Sequence, residues 1–311
     1  MYEAFYGLRE RPFDLTVSPR FLFLTAKHRE ALSNLRYGVE SRKGLTVLVG
    51  EAGTGKTTLL RAAIDLQRSQ NVAAVYVNNP TLSRAEFYEL LAHGFGLDGG
   101  AAESKTKLLI ELERMLLLRH QSGATAALMI DEAQSLPHDL LEEIRLLTNL
   151  ESASAKLLPT VLLGQPELAE RLNEPSLRQL KQRVALRCQL SPLDLRETAA
   201  YIAKRVRVAG GDGGSMFTRE AVQEIYAHSR GIPRTINVIC DNALVSGFAL
   251  DRVTIGQDIV HEVCRDFDLM ARGAEATAGV PLAAAPAAST VAPAPAEMFA
   301  SIGRRRRFSF F

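Results

Sequence analysis

The stretch "GEAGTGKTT", Gly50–Thr58, decides how this chain is read. It has the spacing G-x-x-x-x-G-K-[ST], lies directly behind the apolar run Leu45–Val49, and lies directly ahead of a helical pattern. Between a strand and a helix, such glycines let the backbone wrap closely round phosphates. Its amide hydrogens aim inward at a helix N-terminus, where the dipole favours anions. The candidate phosphate-binding residues are therefore Gly50, Glu51, Ala52, Gly53, Thr54, Gly55, Lys56, Thr57 and Thr58. Lys56 would reach the terminal phosphates of ATP, and Thr57 would offer its hydroxyl to Mg²⁺.

Working outward, apolar runs at Ala73–Val77, Ala126–Ile130, Leu157–Leu163 and Val184–Leu190 join Leu45–Val49 as strand candidates. Helical spacing is expected from about Lys27 to Tyr37, from Thr57 to Gln67, and over residues 82–95, 105–119 and 138–150. Strands alternating with helices predict an α/β fold, a parallel sheet covered on both faces. After "SPLD" the character changes. Residues 194–210, 218–229, 233–249 and 255–270 read as helices with no strand between them, and Thr218 is a plausible N-cap. "GGDGGS", residues 210–215, follows no strand and carries no lysine, so it reads as a loop.

A phosphate loop needs acidic partners at the end of another buried strand. "AALMIDEAQ" supplies Asp131 and Glu132 there. Asp131 would hold the Mg²⁺ shell, and Glu132 would act on the attacking water as a base or by orienting it. Gln165 follows the run ending at Leu163 and would contact the γ-phosphate or that water. Arg234, behind Gly-Ile-Pro at a helix start, would fold onto the phosphates from the helical part.

In combination these features resemble an AAA+ ATPase, a P-loop NTPase with a three-layer αβα sheet followed by a helical lid. In that resemblance Gly50–Thr58 stand for Walker A, Asp131–Glu132 for Walker B, Gln165 for sensor 1 and Arg234 for sensor 2. The family's usual sensor 1 is Asn, Thr or Ser, so Gln165 departs from the pattern. The resemblance also implies an arginine finger that reaches a neighbouring subunit's site, with Arg183 preferred and Arg178 second. ATP-dependent assembly into a homo-oligomer, a ring or short filament, follows from such a shared site. "MYEAFYGLRERPFDLT", "GLTVLVGEAGTGKTTLLR" and "LRQLKQRVALRCQLSPLDLRETAAYI" narrow the resemblance to the ExeA/GspA-type ATPases of bacterial secretion and MshM-like pilus assembly. It covers about residues 1–270, and the transmembrane helix and peptidoglycan-binding domain into which that group often continues are not expected from residues 271–311. The core is also similar to DNA-bound transposition regulators of the TniB/TnsC kind.

The expected organisation is residues 1–192 as the α/β domain with the aromatic N-terminal segment, 193–271 as the lid, and 272–311 as an Ala/Pro linker with a basic-aromatic tail. Of 37 basic and 35 acidic side chains, residues 273–311 hold four arginines and two glutamates, which leaves a neutral body with 33 of each. A neutral body argues against strong nonspecific DNA binding, so DNA is the less favoured partner. Arg304–Phe311 would suit an anionic membrane surface or a partner protein. Cys188, Cys240 and Cys264 read as reduced core thiols, and His261 with Cys264 is too few ligands for a metal site. The charged N-terminus and the absence of a long apolar run predict a cytoplasmic protein, peripheral at most to the inner membrane. The expected partners are envelope secretion or pilus assembly proteins.

Overall fold

The computed structural model describes residues 1–16, 19–68, 71–78 and 81–278. Met1–Asp268 form one compact unit, and Leu269–Phe311 fall in a second. The basic-aromatic tail lies outside the described residues.

All five apolar runs form strands: β1 (Leu45–Gly50), β2 (Val72–Val77), β3 (Thr125–Ile130), β4 (Thr160–Gly164) and β5 (Val184–Leu190). They make one parallel sheet in the order β2-β3-β4-β1-β5. β1 lies between β4 and β5, and all six of its residues are buried. Side chains alternate between the two faces of a strand. Leu48, Ala127, Met129, Val161 and Leu163 therefore enter one core, and Val47, Val49, Leu128, Ile130 and Leu162 the other.

The first face is covered by α1 (Ala26–Glu40) and α2 (Lys56–Arg68), which bring Leu35, Leu59 and Leu60. The second is covered by α3 (Arg84–Phe95), α4 (Lys105–Gln121), α5 (His138–Leu147) and the short α6 (Pro166–Arg171) and α7 (Arg178–Lys181). Each leucine moved from water into these cores contributes about 2 kcal/mol before entropy is counted. Two expected boundaries shift. β4 begins at Thr160 rather than Leu157, since Pro159 has no N–H and the Leu157 amide bonds to Leu150 O instead. α5 ends at Leu147, where the Thr148 hydroxyl turns back onto Arg145 O at 2.6 Å.

The helical part comprises α8 (Leu195–Val208), α9 (Arg219–Ser229), α10 (Pro233–Ala249) and α11 (Gln257–Ala278). Asp194 caps α8 in a reciprocal box with Glu197, and Thr218 caps α9 by accepting from the Ala221 amide. The aromatic N-terminal segment packs here rather than against the sheet. Tyr2, Tyr6, Leu8, Phe13 and Phe21 share one core with Tyr201, Ile202, Phe217, Cys240 and Leu244. Phe13 meets Phe217 edge to face at 5.9 Å, Tyr2 bonds Asp241, and the Tyr6 hydroxyl lies 3.1 Å from Leu244 O and Arg252 O. Large rings with one polar end suit such a seam, where short helices need apolar area and helix ends need donors. Cys188, Cys240 and Cys264 are buried thiols. Among the described residues no helix is long and apolar enough to cross a membrane.

Candidate functional site

The glycine loop leaves the carboxyl end of β1 and enters α2. Gly53 and Gly55 hold φ of +80° and +96°, a region that side-chain-bearing residues rarely adopt. Lys56 opens α2 and folds back beneath the loop, its Nζ donating to Gly50 O at 2.7 Å and Glu51 O at 3.0 Å. Burial pushes the Lys56 ammonium down from its ordinary pKa, while Glu132 and Asp131 act in the opposite direction. Thr54 fixes the turn by donating to Glu51 O at 2.8 Å.

β4 lies between β3 and β1, and the carboxyl end of β3 comes within hydrogen-bond reach of Thr57 at the start of α2. Asp131 is buried there and accepts the Thr57 hydroxyl at 2.6 Å on Oδ2, which also accepts the Tyr76 hydroxyl from β2 at 3.1 Å. Glu132 follows with a left-handed backbone, φ 50°, which turns the chain out of the sheet. Its Oε2 accepts the side-chain amides of Gln134 at 2.6 Å and Gln165 at 3.2 Å. Burial raises its carboxyl pKa, but those two donors and the charge of Lys56 outweigh it, and the group lies below its ordinary value.

A cavity of about 300 Å³ opens over the loop. Gly53–Thr58 and Glu132 line one side, Pro233, Arg234 and Asn237 of α10 the other. The two sides touch, for the Arg234 amide donates to Gly53 O at 3.3 Å. The remaining wall comes from the N-terminal segment, including Leu15, Phe21, Phe23 and His28. His28 Nε2 lies 3.3 Å from Thr54 O, and since a carbonyl can only accept, Nε2 carries the proton and Nδ1 accepts from the Thr25 hydroxyl at 2.8 Å. Burial lowers the pKa of His28, which keeps this neutral tautomer. Arg205 of α8 is buried in the same wall, bonded to Pro12 O and to the Tyr201 hydroxyl and stacked over Phe21.

Lys56, Thr57, Glu132 and Arg234 thus line one cavity, with Asp131 behind Thr57. Gln165 reaches Glu132 but is not part of the cavity wall. Glu51 and Ala52 are exposed on the loop's outer side. Arg183, half-buried between α7 and β5, and Arg178, exposed on α7, do not line this cavity. Gln134, Tyr76, His28 and Arg205 escaped the sequence reading. Gln134 stands in the quoted "AALMIDEAQ" two places after Glu132, and was the one within reach of local pattern.

The Thr57 hydroxyl and the Asp131 carboxylate are hard oxygen ligands held together beside the phosphate loop, and they fit Mg²⁺. Among the described residues no group of three or more His, Cys, Asp or Glu forms a metal cage.

Residues 39–172 match the family described as an AAA domain. The chain is 41% identical over 250 residues to General secretion pathway protein A of Aeromonas hydrophila, covering 80% of this chain and 45% of that protein. It therefore spans less than half the length of that relative. The Aeropyrum pernix ORC2 protein in its ADPNP–ADP complexes has a TM-score of 0.61 at 19% identity, covering 82% of this chain and 71% of that one. The Aeropyrum pernix ORC1 protein in complex with DNA has a TM-score of 0.58 at 18% identity, covering 88% of this chain and 73% of that one. At such identities the likeness concerns the fold alone. With its sheet order, phosphate loop and AAA domain, the chain belongs to the AAA+ P-loop NTPases and is related to General secretion pathway protein A.

Proposed function

We propose that this protein binds ATP with Mg²⁺, hydrolyses it, and uses the cycle to drive or regulate assembly of a bacterial envelope machine. One observation carries the first part: Glu132 faces the cavity over the glycine loop, with the Thr57–Asp131 pair and the Lys56 ammonium beside it. The loop amides from Gly50 to Thr58 cradle the phosphates, and Lys56 leaves the loop carbonyls to neutralise the terminal ones. Thr57 and Asp131 would hold Mg²⁺, which when bound would supply positive charge against the phosphates. Glu132 takes a proton from a water that attacks the γ-phosphorus in line, and the bond to the β-phosphate oxygen breaks to give ADP and phosphate.

Arg234 closes over the phosphates from the lid, residues 193–271, onto which the N-terminal aromatic segment is also packed. Arg183, with Arg178 second, would reach a neighbouring subunit's ATP, since neither lines the cavity of its own chain. That arrangement makes oligomerisation ATP-dependent. The envelope role rests on the kinship with General secretion pathway protein A, and a cytoplasmic location, peripheral to the inner membrane at most, is consistent with that kinship.

Two variants test this reading. Lys56→Ala should lose nucleotide binding, and Glu132→Gln should bind ATP yet stall. Electron microscopy of Glu132→Gln with Mg·ATP should show oligomers without DNA. Turnover by Glu132→Gln at the parental rate would remove the assigned base, and oligomers that form only on double-stranded DNA would overturn the envelope role.

A further inference from the structure

Glu132 is held by more than its own backbone. The Gln134 side chain works in two directions, donating through Nε2 to Glu132 Oε2 at 2.6 Å and accepting the Gln165 backbone N–H through Oε1 at 3.0 Å. The β4–α6 junction closes on it because residue 164 is glycine: a Cβ there would stand 3.0 Å from the Gln134 oxygen and 2.6 Å from Leu168. Gln165 immediately precedes α6, and its own side-chain amide reaches the same Glu132 oxygen at 3.2 Å. Arg171, the last residue of α6, donates to Gln134 O at 2.5 Å and Leu136 O at 2.7 Å. The loop after β3 is therefore fastened to α6 at both ends of that helix.

Two amide donors on one carboxylate oxygen fix the plane and direction of the carboxylate. They leave Oε1 as the acceptor for a proton from water. A base acts only when its lone pair points at the proton it removes, and a misplacement of about 1 Å can cost about a hundredfold. The Lys56 charge acts on the Glu132 carboxyl, and the adjacent Asp131 is engaged with Thr57 and Tyr76 through Oδ2 and with the Glu132 backbone N–H through Oδ1 at 2.9 Å. Neither orients the Glu132 carboxylate by a hydrogen bond of its side chain among the described residues.

We propose that Gln134 is a positioning residue that aims the Glu132 carboxylate, and that Arg171 braces Gln134 from the far end of α6; this rests on the reading of Glu132 as the base. Gln134→Glu keeps an acceptor for the Gln165 N–H and replaces the donor to Glu132, whereas Gln134→Ala removes both. Steady-state ATP turnover of the full chain, with thermal unfolding measured alongside, should show both variants lowered in kcat by about tenfold or more, with KM for ATP within about twofold of the parent. Arg171→Ala should lower kcat by less, and Gln134→Ala/Arg171→Ala should be no slower than Gln134→Ala, since contacts in one network are not additive. Parental kcat in Gln134→Glu, with Glu132→Gln still stalled, would overturn the clamp alone. Parental turnover in Glu132→Gln would overturn the underlying reading and the clamp with it. Fully additive losses in the double variant would overturn the part assigned to Arg171.

Discussion

Replacing Gly53 by alanine tests the seam between the phosphate loop and the lid with one methyl group. Gly53 sits at φ +80°, and a Cβ built there would lie 2.7 Å from Arg234 Cβ and 3.0 Å from Ile232 Cγ2. The first of these is fixed to the α10 backbone and cannot swing aside. Carbon atoms pack comfortably at about 3.5–4.0 Å, so α10 would have to retreat by about 1 Å. That retreat breaks the Arg234 N–H bond to Gly53 O, worth about 1 kcal/mol, and parts the two walls of the cavity. A positive φ costs alanine roughly a further 1–2 kcal/mol in backbone strain, which the fold bears with or without ligand. Gly123→Ala is the control. It has φ +74° and nothing within 4 Å of the added carbon, so it carries the strain without the collision. Titration with a fluorescent ATP analogue should show Gly53→Ala weakened by about tenfold, the equivalent of about 1.4 kcal/mol, and Gly123→Ala unchanged. Both should melt earlier than the parent. Equal affinity in Gly53→Ala and the parent would refute the seam, as would an equal loss in both alanine variants.

The other predictions concern the trans arginine, the metal and the N-terminal segment. Arg183→Ala should bind ATP at parental affinity and lose most of its turnover; unchanged phosphate release would move the role to Arg178. Chelation of Mg²⁺ by EDTA should stop phosphate release, and turnover that persists would dissociate Thr57 and Asp131 from the metal. Phe13→Ala removes a ring that is 1% exposed, at a cost of about 3–5 kcal/mol, and should lower the melting temperature sharply. A melting temperature within a degree or two of the parent would mean that the segment merely rests on the helices.

The strands, most helices and the phosphate loop were legible because each is written in neighbouring residues. Continuous apolar runs, helical spacing and an N-cap such as Thr218 are local statements, and burial on both faces of β1 and β3 keeps their runs apolar. Asp131 and Glu132 were legible for the same reason, as acids that end a buried run. The misread helix and strand ends, at Thr148 and Pro159, turned on one hydroxyl and one missing N–H. The aromatic segment was harder. "YEAFYGLRERPFDL" has neither pattern, and its partners are far away: Tyr2 meets Asp241 across 239 positions, and Arg205 meets Pro12 across 193.

Sequence by itself therefore determined the α/β class, the phosphate loop and its acidic partners, since glycine freedom, strand burial and charge at a strand end act over a few residues. Tertiary structure alone decided that the N-terminal rings belong to the helical core, that His28 and Arg205 wall the cavity, and that Gln165 reaches Glu132 rather than the cavity. These are matters of which surfaces meet. A buried ring or guanidinium takes whatever partner the packing brings, and no local pattern names that partner in advance.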